Sequence, residues 1–261
     1  MELAQENQAS AMPEINTITT TDLMDSLKMG WSDYKKAPLV GFLLSAFFVI
    51  GGYVIFSALV LSGDIWWVMP FTVGFPLLAP FAAVGLYATS CLIENNDEIT
   101  FRKVFSCAIA ERKRQIPWVG AIIVMWFLLY MLISHAIFAI TMGLSALTNI
   151  TTSYALFFTA DGAIMLLAEI LVGGAFAFAL FSITLVSLPL LLDKEIDFVT
   201  AILISIQSVM KNFKVLMIWA FMIGALSLAA MVPALLGLLV VLPILGHATW
   251  HLYRRLLSHP A

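Results

Sequence analysis

A chain of 261 residues that is 62% hydrophobic and 11% charged lacks the polar surface needed to stay dissolved; soluble domains carry about 25% charged residues. The net charge of -3 gives no basic footprint, which argues against nucleic acid as a partner. Cys91 and Cys107 stand sixteen residues apart, a spacing that fits no zinc or redox motif, and they read as inert thiols.

Residues 1 to about 20 are polar and punctuated by Glu2, Glu6 and Glu14, so they predict a disordered, solvated tail rather than a cleavable leader. The remainder, 21–261, reads as a single membrane domain. Apolar runs meet the roughly 20-residue requirement for crossing a hydrocarbon core. Six spans follow, at about 39–61, 65–93, 118–142, 165–190, 214–232 and 234–253. The last two come from one unbroken stretch, divided at Pro233 because proline lacks an N–H and disfavours helix in the residue before it. That turn carries no charge, which leaves a full hairpin and a re-entrant loop both open.

Under six spans all thirteen Lys and Arg residues, from Lys28 to Arg255, fall on one side. Basic residues in short loops are retained in the cytoplasm, so both ends are expected inside. Five spans would place Arg254 and Arg255 outside and spoil this asymmetry. Trp66 and Trp67 fall at the outer boundary, with Trp31, Tyr34, Trp118 and Tyr253 near the inner one, as interfacial anchors.

Three segments on the inner side have the pattern of helices lying along the membrane. In the first, Asp22 caps a helix whose Leu23, Leu27, Trp31 and Tyr34 share a face. In the second, Phe101, Val104, Phe105, Ala108 and Ile109 do so. The third, Asp197 to Phe213, is apolar nearly all round and is expected to be covered by other helices. The fold class is therefore an all-α, polytopic membrane bundle of three hairpins, each preceded by an in-plane cytoplasmic helix.

Ionisable residues inside spans are costly and count as functional candidates. His135 and Glu169 flank a connection centred near residue 152 at equal distance, so they should share a depth and form an intramembrane polar pair. His247 and His251, at i and i+4, share one face of the last helix and are a candidate ligand or lipid site. The spacing suits two metal ligands, but the Glu of an HExxH motif is missing, and the metal question stays open. Asp193 and Glu94 carry carboxylates that nothing in the sequence brings together. A haem between His135 and His247 is disfavoured, since the two fall near opposite faces.

Pro70, Pro76 and Pro80, with Gly74, interrupt the second span either as a packing kink or as a broken transporter helix. Gly41 with Ser45, and Gly173 with Ala177, are small-xxx-small pairs that allow close helix contact.

Several stretches resemble a family of uncharacterised bacterial integral membrane proteins, classed as a domain of unknown function. They are Ser26-Leu27, Gly30-Trp31, Asp33-Tyr34, Pro38, Gly41, Ser187-Leu188-Pro189, Leu191-Leu192-Asp193, Asn212 and the run Gly246-His247-Ala248-Thr249-Trp250-His251-Leu252-Tyr253-Arg254-Arg255. The resemblance implies an inner-membrane protein of several spans and supplies no catalytic residues. With loops of about 22 residues or shorter, a non-enzymatic accessory or scaffold subunit of a larger membrane complex leads. A transporter and a metal or haem protein follow. No cofactor is called for, and the lipid bilayer is the one certain partner.

Overall fold

The computed structural model describes residues 12–62, 75–110, 115–143 and 158–258. The described chain is overwhelmingly helical: α1 (Thr20–Lys36), α2 (Pro38–Ser62), a 3-10 turn (Phe75–Leu78), α3 (Ala79–Glu94), α4 (Phe101–Ala110), α5 (Ile116–Met142), α6 (Ala160–Thr184), α7 (Ser187–Asp193), α8 (Phe198–Lys211), α9 (Phe213–Met231) and α10 (Leu238–Leu256). Trp66, Trp67, Pro70, Gly74, Arg112, Lys113, Arg114 and the connection around residue 152 lie outside the described residues.

Among the described residues four helical stretches are long and apolar enough to cross a membrane: Pro38–Leu61, Ile116–Met142, Ala160–Asp193 and Phe213–Met231. They match the first, third, fourth and fifth expected spans, with the fourth starting at Ala160. The second and sixth expected spans fall on the shorter α3 and on α10, whose last turn is basic; neither helix is among those four. Large apolar side chains lie bare on the outer faces, among them Phe47 at 82%, Ile140 at 83% and Phe221 at 77% exposure. Apolar surface on this scale needs lipid rather than water around it.

Local chemistry explains the breaks. Ala37 ends α1, because Pro38 disfavours helix in the residue before it. Pro76 and Pro80 fall in the 3-10 turn and the first turn of α3, where a missing N–H does no harm, so within the described residues they open a helix rather than kink one. α6 stops and α7 restarts at Leu185–Val186. Pro189 leaves the Leu185 carbonyl without its helical donor, while Ser205 of α8 takes the Val186 N–H at 3.1 Å and donates to the Ser182 carbonyl at 2.7 Å. Between α9 and α10 the chain reverses tightly. Ala234 and Leu235 adopt positive φ, and Gly237 passes so close to Ala230 that a Cβ there would meet the Ala230 carbonyl at 2.7 Å.

Three expectations need correcting. The tail is not solvated throughout: Glu14–Ile15 forms β1, antiparallel to β2 at Leu257–Ser258, with Glu14 opposite Ser258. Asn212 accepts from the Ile18 N–H at 2.9 Å and donates to the Asn16 carbonyl at 2.9 Å, so residues 14–18 are stapled to the α8–α9 corner. The α1 cap is Thr19, not Asp22: the Thr19 N–H and hydroxyl both donate to the Asp22 carboxylate, at 2.8 and 2.7 Å. Its buried face is Leu23, Ser26, Gly30 and Asp33, while Trp31 is exposed. Small residues win this face because α1 packs with its backbone against α10, where a Cβ on Gly30 would lie 2.5 Å from the Ala248 nitrogen. Finally, α8 is not covered all round; it buries Ala201, Ile204, Ser205, Ser208 and Val209 and leaves Val199, Leu203 and Met210 bare. In a bilayer an apolar exposed face is compatible with lipid, so an all-apolar helix does not require a protein cover.

α1 and then α2 run antiparallel to α10. Asp22 meets Arg255, Gly30 meets Ala248, Gly41 meets Pro243, and the Tyr53 hydroxyl donates to the Ala234 carbonyl. Gly41 of the first small pair does permit a close approach, that of Pro243. In the second pair Gly173 is buried and Ala177 is exposed.

Candidate functional site

A buried polar cluster joins α1, α3 and α10. Gly246 of α10 sits so close to α3 that a Cβ would lie 2.5 Å from the Leu86 side chain. That approach brings His247 onto the Leu86–Ser90 turn, and His247 Nδ1 lies 2.8 Å from the Ser90 hydroxyl. Ser90 is in turn 2.9 Å from Asp33 Oδ2, and the same carboxylate oxygen is 2.6 Å from His251 Nε2. Lys36, one turn on from Asp33, approaches its other oxygen at 3.9 Å. Asp33 is 3% exposed, Ser90 and His247 are fully buried, and His251 is 8% exposed.

Helix geometry sets this up. The i, i+4 spacing of His247 and His251 points both rings to one side of α10, as the sequence indicated. Asp33 comes from the small-residue face of α1, and the missing side chain at Gly30 lets the carboxylate reach Ser90 and His251. Burial works against ionisation of Asp33. The hydrogen bonds from His251 and Ser90 and the neighbouring imidazoles outweigh it, and hold the carboxyl below its ordinary value near 3.8.

A second network caps the first at the end of α10. Glu94 accepts from the Trp250 indole and from Arg254 Nε, each at 3.0 Å. Asp193 accepts from the Tyr253 hydroxyl at 2.8 Å and from Arg254 at 3.3 Å. Arg254 is thus what brings the two distant carboxylates together. Asp22 pairs with Arg255 at 2.6 Å on the far side.

Glu169, 1% exposed in the α5–α6 interface, forms a separate centre. The hairpin brings it to the turn of α5 that carries Ser134 and His135. Its oxygens accept from Ser134 at 2.5 Å and from Tyr130 at 3.2 Å. His135, next to Ser134 in the chain, is partly buried.

Chemically, the inner cluster differs from a hydrolytic triad. Its carboxylate bridges a serine and the second histidine instead of orienting the histidine that faces the serine, and Ser90 has no exposed surface for a substrate. Among the described residues no group of three or more His, Cys, Asp or Glu side chains is arranged to hold a metal ion. Sequence reasoning found His247 and His251 but missed Asp33 and Ser90. The available signal for Asp33 was the Ser26, Gly30, Asp33 spacing, a small-residue stripe on one face of a basic helix. Ser90 gave none, being one hydroxyl among several in an apolar run.

Residues 68–193 match the family described as predicted integral membrane protein, DUF2189. This stretch, just under half of the chain, carries Ser90, Glu94, Glu169 and Asp193. Asp33, His247, His251 and the closing run to Arg255 fall outside it. No curated protein and no solved structure matches the chain.

Proposed function

We propose that this chain is a six-span inner-membrane protein with both ends in the cytoplasm, acting as a non-enzymatic accessory or scaffold subunit of a membrane complex. The topology draws support from β1 and β2. Two strands that hydrogen-bond to each other lie on one face of the bilayer, so an even number of crossings separates them. The basic residues put that face inside. The scaffold role rests on one observation: the chemistry-bearing side chains Asp33, Ser90 and His247 are sealed from solvent and engaged with one another across three helices. Such a cluster holds helices in register. The bare apolar faces of α5, α8 and α9 supply surface for a partner helix. Affinity purification of the tagged chain from native membranes in mild detergent is expected to bring down a larger membrane protein in fixed ratio. Recovery of the chain alone under several detergents would remove the reading.

A transporter is the second reading, carried by Glu169. A fully buried carboxylate within a span is the kind of group that ion and proton pathways use. Substrate-dependent flux in reconstituted vesicles that disappears in Glu169→Gln would displace the scaffold.

A further inference from the structure

A furrow of about 750 Å³ runs between α3 and α5 and is lined by apolar residues throughout. Buried Ile123 and Leu188 form its floor, and the half-exposed rings of Phe81 and Phe105 wall it. Along α5 it extends from Ile116 to Leu128, about 18 Å at the rise of an α-helix. The hydrocarbon half belonging to one leaflet is roughly 15 Å deep. The furrow therefore has the length of a single acyl chain standing in one leaflet. It is too narrow to seat a helix, which is about 10 Å across with its side chains. At its waist the Phe81 ring lies 3.3 Å from where a Cβ on Gly120 would stand, so α3 and α5 stay in contact along it. A flexible hydrocarbon chain fits such a space without driving the two walls apart.

We propose that this furrow holds one acyl chain of an anionic phospholipid whose phosphate lies against Arg102. Val104 packs with Ala88 and Leu92, which sets its neighbour Phe105 at the Glu94 end of α3, where the chain leads on into α4. Arg102 stands one turn before Phe105, so the two share a face of α4, a cation beside an apolar slot. Arg102 is exposed and makes no ion pair among the described residues, whereas Lys103 reaches Asp97 at 3.9 Å. The surrounding sequence has the matching sign. Residues 101–116 include Arg102, Lys103, Arg112, Lys113 and Arg114 against Glu111 alone, in a chain whose net charge is -3. Basic surface next to apolar helices is where anionic headgroups bind. Placing the lipid in the inner leaflet rests on the topology proposed above; the binding itself does not, and it is read without regard to side.

Native mass spectrometry of the full chain in detergent, titrated with phosphatidylglycerol or with phosphatidylcholine, measures the site. The first phosphatidylglycerol should bind about fivefold more tightly than the first phosphatidylcholine, the factor that one cation beside an anionic headgroup supplies. Arg102→Gln should abolish that preference. Val124→Trp puts a ring into the furrow from a position 43% exposed, and should weaken the first binding of both lipids. Leu167→Trp, on a bare face of α6 outside the furrow, should change neither. Equal affinity of the parent chain for the two lipids overturns the proposal. So does a first binding unmoved in Val124→Trp, or a preference that survives Arg102→Gln, an exposed variant that serves if the tryptophan variant fails to fold. Dimers that disappear in Val124→Trp, without any lipid preference in the parent, would assign the furrow to a second copy of the chain instead.

Discussion

At the scale of single residues, Asp33 is the group on which most of the inner architecture converges. It is a buried anion with three cationic or donor neighbours, and removing one member of such a set costs about 3–5 kcal/mol. Because its folded-state value lies below the ordinary one, ionised Asp33 stabilises the fold fully above about pH 4. That contribution is lost as pH falls through the lowered value. Asp33→Asn should therefore unfold at lower temperature than the parent at pH 7, with the gap closing only once pH falls below about 4, through the lowered value. A gap of constant size in detergent melts across that range would contradict the assignment. Glu169 lends itself to a similar comparison. Glu169→Gln keeps an acceptor for Ser134 or Tyr130, whereas Glu169→Leu strands both hydroxyls in an apolar interface. The leucine variant should lose about 1–3 kcal/mol more, read from the same melts. Sequence alone singled out Glu169 because it is an acid in an apolar run. It could not single out Asp33, since an acid among Lys28, Lys35 and Lys36 looks like ordinary surface until its partners 57 and 218 residues away are in place.

At the scale of elements, glycines mark where helices touch. Gly30 has the α10 backbone within 3 Å of any added Cβ, and backbone cannot swing aside. Gly174, on α6, has nothing within 4 Å. Gly30→Ala should thus cost about 1–3 kcal/mol through overpacking, while Gly174→Ala should be neutral or slightly stabilising, by about 0.5–1 kcal/mol from helix entropy. Chemical denaturation in mixed micelles separates the two, and equal effects would show that α1 does not pack as described. Helix spans were readable in advance because apolar length is a one-dimensional property. The α5 and α9 boundaries fall within a few residues of those expected. Faces were harder to read. For α1 the shared face of Leu23, Leu27, Trp31 and Tyr34 was legible, but the small-residue face of Ser26, Gly30 and Asp33, which lets two backbones approach, was not. For α8 apolarity on every side implied a protein cover, although lipid satisfies such a surface equally well. The break at Leu185–Val186 depends on Ser205 reaching in from another helix, a tertiary contact no local pattern records.

For the molecule as a whole, the proposed topology would put all thirteen Lys and Arg residues on one side, and the pairing of β1 with β2 supports the even number of crossings it needs. Reporter fusions placed before Glu14 and after Ser258 are expected to report the same compartment, the cytoplasm. Opposite compartments would break both the six-span count and the strand pairing. Removing residues 1–19 should destabilise the full chain, because it takes away β1, the Thr19 cap and the backbone partners of Lys211 and Asn212. Protease digestion of purified protein would reveal this as earlier cutting near the end of α10.

The clasp between α1 and α10 also fixes a timetable. α1 emerges early from the ribosome, yet its docking surface belongs to the last long helix of the chain. Contacts of such sequence separation close late. Through nearly the whole of synthesis Asp33 stays without its histidines, and α1 waits unseated. A chain arrested before Gly246 lacks the surface on which α1 seats.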